Sequence, residues 1–477
     1  MNIHTATFIL ENGYPIRRLY LNLDDFQVLD HYHYNELQEL TIAVTFVDQI
    51  KSEEEGPCDP YQKQVHSTKW ITRNVILPGH SVYAADLIKR NYGLQSLRIV
   101  HDSEIDAVWM NITSDYVEPF LKVIASHSSL TSIKISVELT CVAFAKFLCN
   151  IPQQLQELEL ASNVKNVSCH ESCSTHSRAI ELNPTAFGLR RLVFEGEMPC
   201  FIDRTLIPLL RCCPELQELT LPFIRRLDAR HFNIYELAQV LDSNCHALHT
   251  LHHGYPPNWW KRFKCDPAAV ELMNALLTSF SRGFRQLTVY NLYCYGANFV
   301  SLLDAHQILK SVTFNTLEVL ILSPGYGKSD EVLGILTHCP RLREFRVDRR
   351  TGGDNSVSVM DFWQSMRTPS WSCWNTLQVL ELEINDHGAG LIDLFHEGGS
   401  GWAMAQTART VCSRLTLLPS LKSVCVFWWL TPRNGDPARW VTWERTSSGL
   451  LVREENTVVG EVGLFDLWTA ASQCLLD

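Results

Sequence analysis

The sequence has no apolar run near the roughly 20 residues needed to cross a bilayer as a helix; the densest, from Val424 to Leu430, is far shorter. It also lacks a secretory leader, because polar groups interrupt the opening MNIHTATFILENGYPIRR. The expectation is a cytoplasmic or nuclear protein with no membrane partner. Charged residues are sparse at 19%, yet hydrophobic residues reach 46%, which supports a large core and excludes a disordered chain. Excess positive charge is missing as well. A net charge of −11 opposes a broad phosphate-binding face, so no nucleic-acid partner is expected. The 16 cysteines form no disulfide framework and read as reduced, buried small hydrophobes.

Catalytic motifs are equally scarce. The segment HEGGSGW offers Gly398 and Ser400 but places Trp402 where a nucleophile elbow requires glycine. The segment LSPGYGKSD contains Gly327, Lys328 and Ser329, but Leu322 stands where a phosphate loop needs its first glycine. Cys169, His170, Cys173 and His176 have a loose spacing for zinc in what reads as an inserted loop. A second cluster, Cys245, His246, His249, His252 and His253, runs across a strand whose alternation sends neighbours to opposite faces. Acidic pairs such as Glu157 with Glu159 and Glu381 with Glu383 recur as ordinary surface positions. The expectation is therefore no catalytic site, no metal and no cofactor.

What is present is a repeat. A unit of form LxxLxL, with aliphatic or aromatic substitutes, starts at Ile16, Leu37, Leu94, Leu130, Leu155, Leu189 and Leu216. It continues at Leu248, Phe284, Leu317, Leu342, Leu377 and Leu421. The starts lie about 34 residues apart on average, longer than the roughly 20 to 29 of leucine-rich repeats. Insertions and one missed unit, the strand-like WITRNVIL ending at Leu77, are expected to account for the excess. Between strands the pattern turns helical, as in 203–213, 232–241, 266–281 and 329–339. One strand and one helix cannot bury their own apolar faces, so such units must stack. The fold expected is an α/β leucine-rich-repeat solenoid of about thirteen irregular repeats, with a curved parallel sheet on the concave side and helices on the convex side. Its expected parts are an N-terminal cap or remnant over 1–15, the solenoid over 16–430 and a C-terminal capping segment over 431–477. The alternating WVTWERTSSGLLVRE within that last segment reads as a hairpin.

Two junctions carry more information than the leucines. In LIPLLRCCPELQELTL and VLGILTHCPRLREFRV, a helix ends in Cys-Pro-x-Leu and runs into the repeat strand, through Cys213, Pro214 and Leu216 or Cys339, Pro340 and Leu342. Cys245 with Leu248 is a weaker third. This resembles the cysteine-containing leucine-rich repeats of fungal F-box/LRR-like proteins. The resemblance implies a substrate-recognition subunit of an SCF-type ubiquitin ligase, with a protein substrate held by the repeats. No LPxEIL-like F-box helix is visible before Ile16, so a ligase adaptor is expected as a partner only if an F-box exists. A scaffold with no ligase connection is the alternative; a nucleotide-binding enzyme using residues 325–329 ranks below it.

The outward positions of each strand are the expected binding face. They include His252, Thr288, Tyr290, Ile321 and Arg346; between Thr250 and Ser323 the outward positions, among them His252, Gln286, Thr288, Tyr290, Val319 and Ile321, carry no formal charge. Beside it, the loop YPPNWWKRFK supplies Tyr255, Trp259, Trp260, Arg262 and Phe263, the residue types favoured at interface hot spots. The tryptophans folding back onto the following helix is an equal reading.

Overall fold

The aliphatics two apart in each LxxLxL unit share one face of an extended chain. The computed structural model turns that spacing into strands. It describes residues 16–22, 36–44, 78–101, 121–136, 147–148, 150–162, 187–196, 202–221, 234–253, 275–277, 280–289, 312–322, 329–347, 357–358, 365, 371–385, 415, 417–429, 439–446 and 449–455. A strand begins two residues after every one of the thirteen starts. The chain divides into two units, Met1–Leu216 and Gln217–Asp477.

The first unit holds β1 (Arg18–Asn22), β2 (Glu39–Val44), β3 (Ser96–His101), β4 (Ser132–Ile135), β5 (Glu157–Ser162) and β6 (Arg191–Gly196). All are parallel, and each pairs with the next in chain order. Its helices include α1 (Pro78–Arg90) and α2 (Ile202–Arg211). The register places Leu19, Leu40, Leu97, Ile133, Leu158 and Leu192 in one cross-strand ladder. Leu21, Ile42, Ile99, Ile135, Leu160 and Phe194 form a second, and both ladders are buried.

One expectation is corrected here. β2 is hydrogen-bonded directly to β3 along six positions, so no repeat strand lies between them despite the long separation of Leu37 and Leu94. The excess there is insertion. WITRNVIL lies outside the described residues.

The second unit contains β7 (Glu218–Leu221), α3 (Ile234–Asn244), β8 (Thr250–His253), β9 (Gln286–Val289), α4 (Val312–Thr316), β10 (Val319–Leu322) and α5 (Ser329–His338). It continues through β11 (Glu344–Val347), β12 (Val357–Ser358), β13 (Val379–Asn385) and β14 (Ser423–Trp429). Strands β7 to β11, then β13 and β14, pair successively and in parallel. The short β12 pairs with the far end of β13, beyond the two positions that meet β11. β15 (Arg439–Thr446) then turns antiparallel onto β14, and β16 (Gly449–Glu455) completes a hairpin with it.

A repeated backbone contact holds this order. In each unit the two N–H groups entering a strand share one carbonyl of the preceding repeat: Gln95 and Ser96 donate to Gln38, and Thr131 and Ser132 donate to Gln95. The same motif runs from Arg285 and Gln286 on His249 to Lys422 and Ser423 on Gln378. Within each of the two units a repeat so clamped takes its register from the preceding one without the help of side chains. Helix faces complete the core, with Leu206, Leu209 and Leu210 of α2 and Leu237, Val240 and Leu241 of α3 buried. That burial lets α2 continue through Pro208, which removes an internal helix hydrogen bond. Doubly wound sheets bind ligands where strand order reverses. Within each unit the order of the repeat strands advances without reversal, so each is a repeat-like, open parallel sheet lacking such a crevice among its described strands.

Candidate functional site

Between the buried ladder positions, the alternate residues of each strand point to the opposite face. In β4 and β7 burial alternates in step, with Ile133, Ile135, Leu219 and Leu221 buried and their neighbours half-buried. On the first unit's outward face, charges pair across strands. Arg18 meets Glu39 at 3.1 Å, and Glu159 is held by Lys134 and by Arg191, the latter at 3.4 Å. Ser132 donates its hydroxyl to Glu157 at 3.1 Å. Glu157 and Glu159 are thus held by separate partners.

On the second unit's face, β8 to β11 bring His252, Thr288, Ile321 and Arg346 into one row, each in register with the next. His252 Nε2 lies 3.8 Å from Glu218. Arg346 reaches Glu344 at 2.9 Å and Glu381 at 3.9 Å. Ile321 is half-buried. Thr288 departs from the expectation, since it is only 1% exposed and its hydroxyl has no hydrogen-bond partner. It is no accessible contact residue, although its register position is the one expected. Tyr255, Trp259, Trp260, Arg262, Phe263 and Tyr290 lie outside the described residues, as do Cys169, His170, Cys173 and His176.

The histidine-rich cluster separates into unrelated environments. Arg282 contacts His246 Nδ1 at 3.1 Å and donates to the carbonyls of Leu241 and Cys245, closing the end of α3. His249 Nδ1 meets the Thr250 hydroxyl at 2.9 Å. His253 points inward, fully buried, in the ladder of Leu221 and Val289. Burial pushes its pKa down to about 4, and neither ring nitrogen has a partner. Among the described residues no three His, Cys, Asp or Glu side chains gather as metal ligands would. Leu322, which occupies the first-glycine position of the phosphate-loop pattern, is the last residue of β10 and pairs with Val289 and Val347.

The junction cysteines serve the turn. Cys213, Cys245 and Cys339 are buried, and each carbonyl accepts the N–H of the following Leu216, Leu248 or Leu342. The Cys213 thiol also donates to Leu209 O, four residues back at the helix end, at 3.1 Å. Asn91 makes the same contact with Leu87 O at 2.6 Å, and its own carbonyl meets His127 of the next repeat at 2.9 Å. Sequence reading missed Asn91, His127 and Arg282 because each acts on a residue 36 or more positions away, as His127 does on Asn91. No helix is long and apolar enough to cross a membrane among the described residues. No family model matches the chain, and no curated protein matches it in sequence.

Proposed function

We propose that this chain is a leucine-rich-repeat module that binds a protein on the outward faces of its parallel strands. The observation that supports it is the division of labour within the described repeats of each unit: backbone clamps and buried ladders fix the strands. The outward side chains are left to vary, from charged pairs to His252, Ile321 and Arg346 in the row whose Thr288 is buried, without disturbing the register. In the fuller form of this reading the chain is the substrate-recognition subunit of a cullin-type ubiquitin ligase, similar to F-box/LRR receptors and itself without catalytic chemistry. The second reading is a leucine-rich-repeat scaffold with no ligase link.

Affinity capture with cross-linking, comparing the full chain with its Ile321→Glu variant, tests the binding face. Loss of the captured protein with an unchanged melting curve supports it, and retention at full yield removes this face from the case. Co-capture of a ligase adaptor and cullin decides for the receptor; a captured partner without them decides for the scaffold.

A further inference from the structure

Cations on the first unit's outward face are neutralised locally, with one exception among the described residues. Arg18 has Glu39, while Lys134 and Arg191 share Glu159. Arg98, at the middle of β3, is exposed and has no ion pair among the described residues. Its register neighbour on one side is Lys134; on the other is Thr41, and beyond Thr41 stands Tyr20, 48% exposed. Across β1 to β4 the charged outward positions are Arg18, Glu39, Arg98 and Lys134, a positive excess in a chain whose net charge is −11. An uncompensated guanidinium in the middle row, beside a second cation, is the local reverse of the protein's overall charge.

We infer that the outward face of β1 to β4 takes an extended acidic peptide segment, its carboxylate on Arg98 and an apolar side chain on Tyr20. This rests on the protein-binding reading and specifies its partner. Adjacent strands lie about 4.8 Å apart, so Tyr20 and Arg98, two strands apart, are separated by about 10 Å. A peptide in the extended polyproline II form, which rises about 3.1 Å per residue with three residues per turn, covers that in about three residues and keeps residues i and i+3 on the same side. The pattern recognised is an aromatic or aliphatic residue followed three positions later by Glu or Asp. Arginine suits this role because its planar fork holds a carboxylate through two parallel hydrogen bonds. A polyanion suits it less, since Glu39, Glu157 and Glu159 flank the site on the same face.

The test is fluorescence anisotropy of the full chain with a labelled dodecapeptide repeating Phe-Ser-Ser-Glu, against the same peptide with Gln for Glu and a uridine decamer. The Glu peptide should bind, with Arg98→Glu weakening it by at least about tenfold and the Gln peptide weaker to a similar degree. Lys422→Glu, the same charge change at an exposed lysine in the second unit, should weaken it by less than about twofold. With the unaltered protein, raising salt from about 50 to about 500 mM should weaken the Glu peptide and leave the Gln peptide unchanged. Equal binding of the two peptides, equal effects of the two substitutions, or tighter binding of the uridine decamer would overturn the inference. If the Glu peptide fails to bind while Ile321→Glu still abolishes capture, the acidic specificity falls and the protein-binding reading stands. Failure of both removes both.

Discussion

His253 stands in a ladder position that aliphatic residues fill on the neighbouring strands, Leu221 on one side and Val289 on the other. Its ring is neutral in the fold because burial disfavours the charged form, with pKa pushed from 6.5 down to about 4. A group depressed in the folded state binds more protons when unfolded, so its stability contribution is intact above pH 6.5 and is lost as pH falls toward 4. The loss amounts to about 3 kcal/mol by the lower limit. Urea midpoints measured from pH 7.5 to 4.5 should show this fall, and His253→Leu should raise the midpoint and flatten its slope; an equally steep slope in the variant would refute the assignment. At the neighbouring strand, Leu219→Ala should cost about 2 to 5 kcal/mol by leaving a cavity. Glu218→Ala, one residue away on the outward face, should cost about 1 kcal/mol or less in the same denaturation experiment.

Elements are joined at short turns that tolerate little change. Gly283, just before the start at Phe284, has φ of 70°, and an added Cβ would lie 2.9 Å from the Thr313 backbone and collide with the Thr316 hydroxyl. Gly283→Ala should therefore destabilise by about 2 kcal/mol or more, read as a lowered melting temperature. The cysteine turns predict a chemical pattern. Burial raises the Cys245 and Cys373 thiols to about 12 and pushes Cys339 up as well. Thiolate is the reactive form, so a water-soluble maleimide should leave these three unlabelled in the native protein and label Cys212 before them, since burial raises its thiol as well but leaves it half-exposed. Mass spectrometry after brief labelling checks the order. The terminal hairpin was legible from alternation in WVTWERTSSGLLVRE, whereas β12, only two residues long, has no periodicity to read.

For the whole molecule, contacts run chiefly between sequential repeats, so stability should be local. Leu158→Ala in β5 should raise amide exchange in β4 to β6 by at least about tenfold while leaving β9 to β11 unchanged. Equal acceleration in both units would show a single cooperative block instead. Strand positions were readable because two-residue aliphatic spacing and mutual burial leave one choice of register at each start, from Ile16 to Leu421. The sequence by itself thus determined where strands begin and which of their faces is apolar. Only tertiary structure decided that β2 pairs directly with β3 across the longest gap between starts, that Thr288 is buried, and that Arg98 stands without an ion partner among the described residues. Pairing, burial on the outward face and charge neutralisation all depend on groups remote in sequence, whose proximity is created by stacking the repeats.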